Sequence, residues 1–165
     1  MAEAVTYFPM RLYLLRHAEA EPHRADDFSR RLTEKGESQS LRVGEFLKGH
    51  DVRPELILSS PVLRAKETAA IVAEVLGMDP PTDAPWLACG MNPERAISEL
   101  SGYAKLDSLM IVGHEPDFSS LIASLLDLSR SPSVQVGKAS LTCINLLRIQ
   151  SGSGILQFLL PVKFL

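Results

Sequence analysis

Three short apolar runs, each followed at once by polar residues, dominate the hydrophobic pattern of this chain. They cover residues 12–15, 56–58 and 108–112. Runs of this length with no helical continuation are typical of buried strands. Helical patterns follow them, and strands that alternate with helices form parallel sheets in α/β proteins. The pattern therefore predicts an α/β fold in which these strands are parallel.

Four helices are predicted from their N-terminal signals. Ser, Thr, Asn and Asp are favoured at the N-cap, where the side chain accepts a backbone N–H, and proline is favoured at the first helical position. The predicted helices cover residues 34–48 after Thr33, 61–76 after Ser60, 93–100 after Asn92 and 118–126 after Asp117.

The rest of the chain carries turn signals and two further strands. Residues 79–85 contain three prolines and predict an irregular connection, and residues 86–90 predict a brief extended segment. Residues 130–138 predict a loop because they are rich in Ser, Pro and Gly. Residues 140–149 and 155–162 are strand-like and are joined by a Ser-Gly-Ser-Gly sequence, so they predict an antiparallel hairpin.

Composition narrows the classes of function. The 165 residues fit one domain with its own core, and we expect a single domain over 1–165. A net charge of −3 argues against a nucleic-acid partner. Cys89 and Cys143 are too few for a disulfide framework. The N-terminus lacks the basic segment of a signal peptide, and no apolar run approaches the ~18 residues of a membrane span. A cytoplasmic protein with no membrane partner is therefore expected.

Charged and titratable residues follow the apolar runs at corresponding places. Arg16 and His17 end the first run, His114 follows the third, and Arg64 lies in the first turn of the helix after the second. Ligands of α/β proteins bind at the carboxyl ends of the strands, so these four side chains should converge on one point. Each of these residues alone is as consistent with a polar side chain that faces water as with a functional role. Their repetition at three strand ends favours a ligand-binding site.

Two guanidinium groups and two imidazoles suit a phosphoryl group. Arginine forks bind its non-bridging oxygens, one neutral histidine can attack phosphorus, and the other can donate a hydrogen bond to developing negative charge. The sequence has neither a glycine-rich phosphate loop nor a carboxylate cluster for magnesium, so we expect a phosphohistidine intermediate with no metal and no cofactor. His17 is the expected nucleophile because Arg16 would hold phosphate beside it, although spacing alone leaves His114 as an alternative.

Three motifs resemble those of the histidine phosphatase superfamily, which includes phosphoglycerate mutases and many phosphatases. They are Leu-Arg-His-Ala at 15–18, Ser-Ser-Pro-Val-Leu-Arg-Ala-Lys-Glu-Thr-Ala at 59–69 and Val-Gly-His-Glu-Pro at 112–116. The short chain, the position of Arg30 before Leu32 and Thr33, and the terminal hairpin resemble SixA-type phosphohistidine phosphatases in particular. The resemblance implies a phosphoglycerate mutase-like fold, a three-layer sandwich with a mostly parallel central sheet, an antiparallel C-terminal edge hairpin and helices on both faces.

The resemblance also implies roles for individual residues. By position, the resemblance implies that His17 is the nucleophile that becomes phosphorylated and that Arg16 and Arg64 clamp the phosphate. It also implies that His114 stabilises the phosphoryl group during transfer and that Arg30 makes a further phosphate contact. Arg24 and Arg31 lie in the same polar loop as Arg30, residues 21–31, and are either substrate contacts or solvated charges.

The sequence departs from the family pattern in two ways. The usual Arg-His-Gly is Arg-His-Ala here, so Ala18 should adopt an ordinary backbone conformation. Larger members carry a general-acid carboxylate in an insertion between the second and third motifs, for which this chain has little room. The acids available instead are Glu19, Glu94, Glu99 and Glu115. Glu115 is either a candidate proton donor or a turn residue before Pro116.

The shortage of an acid bears on the substrate. An alkoxide leaving group needs a proton from the enzyme, whereas an imidazole, whose conjugate acid has a pKa near ~6.5, leaves with less help. This favours a phosphohistidine phosphatase that acts on a phosphorylated signalling protein of the histidine-containing phosphotransfer type. The alternatives are a phosphomonoesterase or pyrophosphatase for a small phosphorylated metabolite, and a phosphate-binding module without catalysis.

Overall fold

The computed structural model describes residues 9–23, 25–128 and 134–165. Their strands are β1 (Met10–Arg16), β2 (Leu56–Ser59), β3 (Thr82–Asp83), β4 (Ser108–Gly113), β5 (Leu141–Leu146) and β6 (Gly154–Leu160). They form one sheet in the order β3-β2-β4-β1-β5-β6. The pairs among β1, β2, β3 and β4 are parallel, and β5 is antiparallel to both β1 and β6. The mostly parallel sheet with an antiparallel C-terminal edge pair is therefore confirmed.

Helices cover both faces of the sheet. α1 (Glu34–Gly49) and α2 (Leu63–Val75) pack on one face, and α3 (Pro93–Leu100) and α4 (Asp117–Leu125) pack on the other. This arrangement confirms the predicted three-layer sandwich. No helix in the described part of the chain combines the length and the hydropathy of a membrane span.

Strand β1, near the centre of the sheet, shows why the predicted strands have apolar residues at every position and not only at alternate positions. Leu12 and Leu14 face the core under α3 and α4, whereas Tyr13 and Leu15 face the core under α1 and α2. Successive side chains of a strand point to opposite faces, so a strand covered on both sides needs apolar residues at every position. All four side chains are at most 3% exposed. The strand is thus held rigidly up to the point where Arg16 and His17 leave it.

Two of the predicted helix starts are confirmed by their capping bonds. The Thr33 hydroxyl accepts the Gly36 N–H at 3.1 Å, and Asn92 Oδ1 accepts the Arg95 N–H at 3.0 Å. Each bond satisfies one of the backbone donors that the first turn of a helix leaves free. These two helices begin where the local sequence predicted.

The predicted start of α2 is wrong by two residues. The helix begins at Leu63 with Val62 at the N-cap, and Pro61 lies before it. The Ser60 hydroxyl accepts the Val62 N–H at 3.2 Å, which forms a turn ahead of the helix instead of a cap on it. Arg64 nevertheless lies in the first turn of α2, as expected.

Three other local predictions are also wrong. Asp117 is the first residue of α4 and not its cap, because its Oδ2 accepts the Gly90 N–H at 2.9 Å. The segment predicted to be extended contains a 3-10 turn, Pro85–Leu87, since a proline at its start presets a helical φ and Trp86 is buried in the core. The connection over residues 79–85 is not wholly irregular, since β3 pairs there with β2. Residues 130–133 of the predicted loop lie outside the described residues.

Candidate active site

The carboxyl ends of β1, β4 and β2 meet at one edge of the sheet. β4 lies between the other two, and all three are parallel. Arg16 is opposite Gly113 in the register, and the pairing continues beyond the strands. The His17 N–H donates to Gly113 O at 2.9 Å, and the Ser60 N–H donates to Val112 O at 2.9 Å. The residues that follow the three strands are therefore held side by side by backbone hydrogen bonds.

The structure brings the two strand-end histidines side by side and hydrogen-bonds one of them to the arginine of α2. The ring centroids of His17 and His114 are 5.3 Å apart. The Arg64 Nε–H donates to His17 Nε2 at 3.3 Å. His17 is 7% exposed, and His114 and Arg64 are each 3% exposed. One guanidinium and two imidazoles thus form a buried polar cluster.

Arg16 completes the set of four at the same edge. Its Nη1 donates to Val136 O at 2.8 Å, and within the described residues its buried Nε has no hydrogen-bond partner. Burial lowers the pKa of the Arg16 guanidinium and Arg64 lowers it further, whereas Glu115 raises it. The charge of Arg16 in turn lowers the pKa of both histidines, so it lies within electrostatic range of each.

Both histidines are neutral at pH 7. Burial lowers the pKa of His17 to about 3, opposed by the hydrogen bond to Ala18 and reinforced by the charges of Arg64 and Arg16. Burial and the charge of Arg64 lower the pKa of His114 to about 4. Burial disfavours the charged imidazolium and the nearby guanidinium charges disfavour it further, which explains the direction of both shifts.

The hydrogen bond at Nδ1 decides which nitrogen of His17 is unprotonated. Nδ1 lies 2.7 Å from Ala18 O, and a carbonyl oxygen only accepts. Nδ1 therefore carries the proton, and Nε2 keeps a lone pair that faces Arg64. Ala18 has the ordinary backbone expected of it, because in the described chain the non-glycine residues of positive φ are Asp51, Asp127 and Ala139.

A carboxylate that the sequence analysis did not single out lies against Arg64. Asp27 Oδ2 is 3.1 Å from Arg64 Nη2, and Asp27 O accepts from Arg64 Nη1 at 2.8 Å. Asp27 Oδ1 accepts from Arg30 Nε at 2.7 Å. Hydrogen bonding from Arg30 and the charge of Arg64 outweigh burial and lower the pKa of Asp27, so this carboxylate is ionised at pH 7. The polar composition of loop 21–31 was visible in the sequence, but no local signal distinguishes Asp27 from its neighbours.

The other arginines of loop 21–31 have different surroundings. Arg30 is 17% exposed, donates from Nη1 to Glu21 O at 2.7 Å and affects the pKa of His114, so it borders the site. Arg31 is 70% exposed and pairs with Glu67 at 2.8 Å, away from the histidines. Arg24 lies outside the described residues.

The four candidate acids are distributed over the surface and the edge of the site. Glu19 pairs with Lys35 at 3.0 Å, Glu94 is exposed, and Glu99 lies 3.7 Å from Arg95. Glu115 is different, because its Oε1 accepts the Ser119 hydroxyl and its charge acts on Arg16. Within the described chain, no group of three or more His, Cys, Asp and Glu side chains is arranged to hold a metal ion.

Comparisons with known proteins agree with the motifs. The family model described as histidine phosphatase superfamily (branch 1) matches residues 12–87. Phosphohistidine phosphatase SixA of Escherichia coli (strain K12) is 30% identical over 122 residues, which cover 70% of this chain and 74% of that protein. The family-model match includes Arg16, His17 and Arg64.

Solved structures extend the likeness to nearly the whole chain. The structure of the protein histidine phosphatase SixA complexed with tungstate has a TM-score of 0.83 and 25% identity, and the alignment covers 94% of this chain and 99% of that one. The mycobacterial glucosyl-3-phosphoglycerate phosphatase shares the fold, with a TM-score of 0.72, 20% identity and coverage of 90% and 97%. The fold is thus phosphoglycerate mutase-like, and the chain belongs to the histidine phosphatase superfamily as a SixA-like member.

Proposed function

We propose that this protein is a phosphohistidine phosphatase in which His17 takes the phosphoryl group and then passes it to water. The single observation that carries the proposal is the state of His17. Its Nδ1–H is bound to Ala18 O, and the unprotonated Nε2 is buried against Arg64 and within range of the charge of Arg16. A nucleophile needs an unprotonated nitrogen of defined direction, and this arrangement supplies one.

The reaction divides into two displacements at phosphorus. In the first, the His17 Nε2 lone pair forms an N–P bond while the bond from phosphorus to the leaving group breaks, and the leaving group takes the electron pair. In the second, the oxygen of a water molecule bonds to phosphorus, the N–P bond breaks and returns its electron pair to His17 Nε2, and inorganic phosphate leaves with the oxygen and the two protons of that water. Arg16 and Arg64 hold the non-bridging oxygens through both steps, because guanidinium groups match their geometry and charge. Arg30 is the proposed further contact, and His114 donates to the oxygen that gains charge.

The state of the carboxylates supports an imidazole as the leaving group. Asp27 is ionised because it pairs with Arg30 and Arg64, so it has no proton to give. Glu115 is the remaining candidate proton donor, and its Oε1 already accepts the Ser119 hydroxyl. An imidazole whose conjugate acid has a pKa near ~6.5 needs little protonation by the enzyme, unlike a sugar alkoxide.

The expected substrate is a phosphohistidine carried by a signalling protein of the phosphotransfer type. The Escherichia coli relative is named a phosphohistidine phosphatase, and we extend that substrate class to this chain. A small phosphorylated metabolite is the competing substrate. The low pKa of an imidazole leaving group favours the protein-borne phosphohistidine.

A substrate panel tests the proposal. We expect the wild type to hydrolyse a phosphohistidine-bearing carrier protein faster than sugar phosphates, and His17→Ala to lose all turnover while its circular dichroism is unchanged. His50→Ala is the matched control, because His50 is exposed at the end of α1, and it should keep full activity. Phosphate label should be trapped on His17 during turnover. Hydrolysis of sugar phosphates at an equal or greater rate would refute the substrate class, and turnover without labelled His17 would refute the intermediate.

A further inference from the structure

A buried serine that belongs to none of the roles above touches the second histidine. Ser60 Oγ lies 2.7 Å from His114 Nε2, and Ser60 is fully buried. The same oxygen accepts the Val62 N–H at 3.2 Å. The backbone of Ser60 is also fixed, since its N–H donates to Val112 O. The hydroxyl therefore meets the imidazole from a rigid position.

The direction of the hydrogen bond between Ser60 and His114 follows from counting partners. A serine hydroxyl has one proton to donate and two lone pairs that accept. If His114 Nε2 carried the proton, Ser60 Oγ would accept twice, and its own buried hydrogen would have no acceptor among the described residues. If Ser60 donates to His114 Nε2, the serine donates once and accepts once from Val62. Among the described residues the first arrangement leaves two buried groups without partners, the Ser60 O–H and the His114 Nδ1 lone pair, whereas the second leaves one, the Nδ1–H. Because each such group is costly, the second arrangement is favoured.

This direction leaves the proton of the neutral imidazole on the other nitrogen. His114 Nδ1 is buried and has no hydrogen-bond partner within the described residues. The His114 ring lies beside that of His17, with 5.3 Å between centroids. An Nδ1–H in that position is a hydrogen-bond donor available to an oxygen of a phosphoryl group bound at His17.

We propose that Ser60 is a positioning residue that fixes His114 as the Nδ1–H tautomer and so makes this neutral histidine a donor to the phosphoryl group. The role of that donor in turnover rests on the proposed function, but the tautomer itself does not. The two histidines thereby have opposite tasks, and their hydrogen-bond partners are the structural reason. A carbonyl leaves His17 Nε2 as a lone pair, and a hydroxyl leaves His114 Nδ1 as a donor.

Nitrogen-15 NMR of the wild-type protein tests the tautomer directly. In a neutral imidazole the protonated nitrogen and the lone-pair nitrogen resonate far apart, and long-range coupling to the ring protons identifies each. With ¹⁵N-histidine labelling at pH 7, and with His114 assigned by its loss in His114→Asn, we expect protonated Nδ1 and unprotonated Nε2. A wild-type protein with the proton on Nε2 would overturn the inference, whatever substrate the enzyme acts on.

Two serine variants separate positioning from packing. Ser60→Ala should populate the Nε2–H tautomer and lower kcat by about 10- to 100-fold with little change in KM, as loss of an orienting partner does at other sites. Ser59→Ala is the control, because Ser59 is equally buried but donates to Ser60 O at 2.9 Å instead of to the histidine. It should retain the wild-type tautomer and kcat. An unchanged tautomer in folded Ser60→Ala would overturn the inference. If His114 is the Nδ1–H tautomer but the wild-type protein hydrolyses neither phosphohistidine nor sugar phosphates, the proposed function is refuted while the tautomer assignment stands.

Discussion

Acidification should destabilise this protein through its two buried histidines. In the folded chain the pKa of His17 is lowered to about 3 and that of His114 to about 4. In the unfolded chain both return to about 6.5. Between these limits the unfolded state binds more protons than the folded state, so the free energy of unfolding rises with pH. The contribution of the two histidines to the free energy of unfolding is therefore complete above about pH 7 and is lost as the pH falls from about 6.5 towards 3 to 4.

The size of the effect at pH 5 follows from the unfolded state. At that pH an unfolded histidine is almost fully protonated and the two folded ones are neutral, and each pH unit below 6.5 costs about 1.4 kcal/mol per histidine. Each histidine then contributes a loss of about 2 kcal/mol between pH 7 and pH 5, or about 4 kcal/mol together. This is a large part of the 5–15 kcal/mol by which native domains are typically stable.

Urea unfolding at pH 7 and pH 5, at constant ionic strength, measures this loss. The double variant His17→Asn, His114→Asn replaces both imidazoles with neutral groups and should lose about 4 kcal/mol less than the wild type over this range. His50→Asn, at an exposed histidine, is the control and should behave as the wild type does. Titration of the carboxylates affects all three proteins alike and cancels in the comparison. Equal losses in the wild type and the double variant would refute the reasoning.

Three further substitutions test the packing of the core and the phosphate clamp of Arg16 and Arg64. Gly36→Ala should lower the free energy of unfolding by about 1–3 kcal/mol in urea titration, because a Cβ there would overlap Glu19 O, whereas Gly49→Ala meets open space and should not. Ile111→Ala should cost about 2–5 kcal/mol in the same assay, since Ile111 is fully buried in the central strand β4. Arg64→Lys should lower kcat/KM about 10²–10³-fold, because an ammonium cannot reproduce the guanidinium fork. A folded Arg64→Lys with wild-type kcat/KM would contradict the proposed clamp.

The sequence alone predicted the four α-helices, five of the six strands of the described chain and four residues of the candidate site. Apolar runs at 12–15 and 108–112 are strands because they are buried on both faces, and Thr33 begins a helix because its hydroxyl accepts a backbone N–H within the same turn. Such signals are local, so they can be recognised without knowing what the segment packs against. The strand-end residues could be selected for the same reason, since a polar tip on an apolar strand is a local pattern.

Only the tertiary structure decided which strands are neighbours and what the polar side chains bind. The order that places β4 between β1 and β2 brings the two histidines together. Ser60 was predicted to cap a helix, but its hydroxyl contacts a histidine 54 residues away. Asp27 binds an arginine 37 residues away. A hydroxyl or carboxylate forms hydrogen bonds of similar energy with groups close in sequence and with groups far away in sequence. The sequence therefore indicates the possible local partners, whereas the folded structure determines which partner lies within hydrogen-bonding distance.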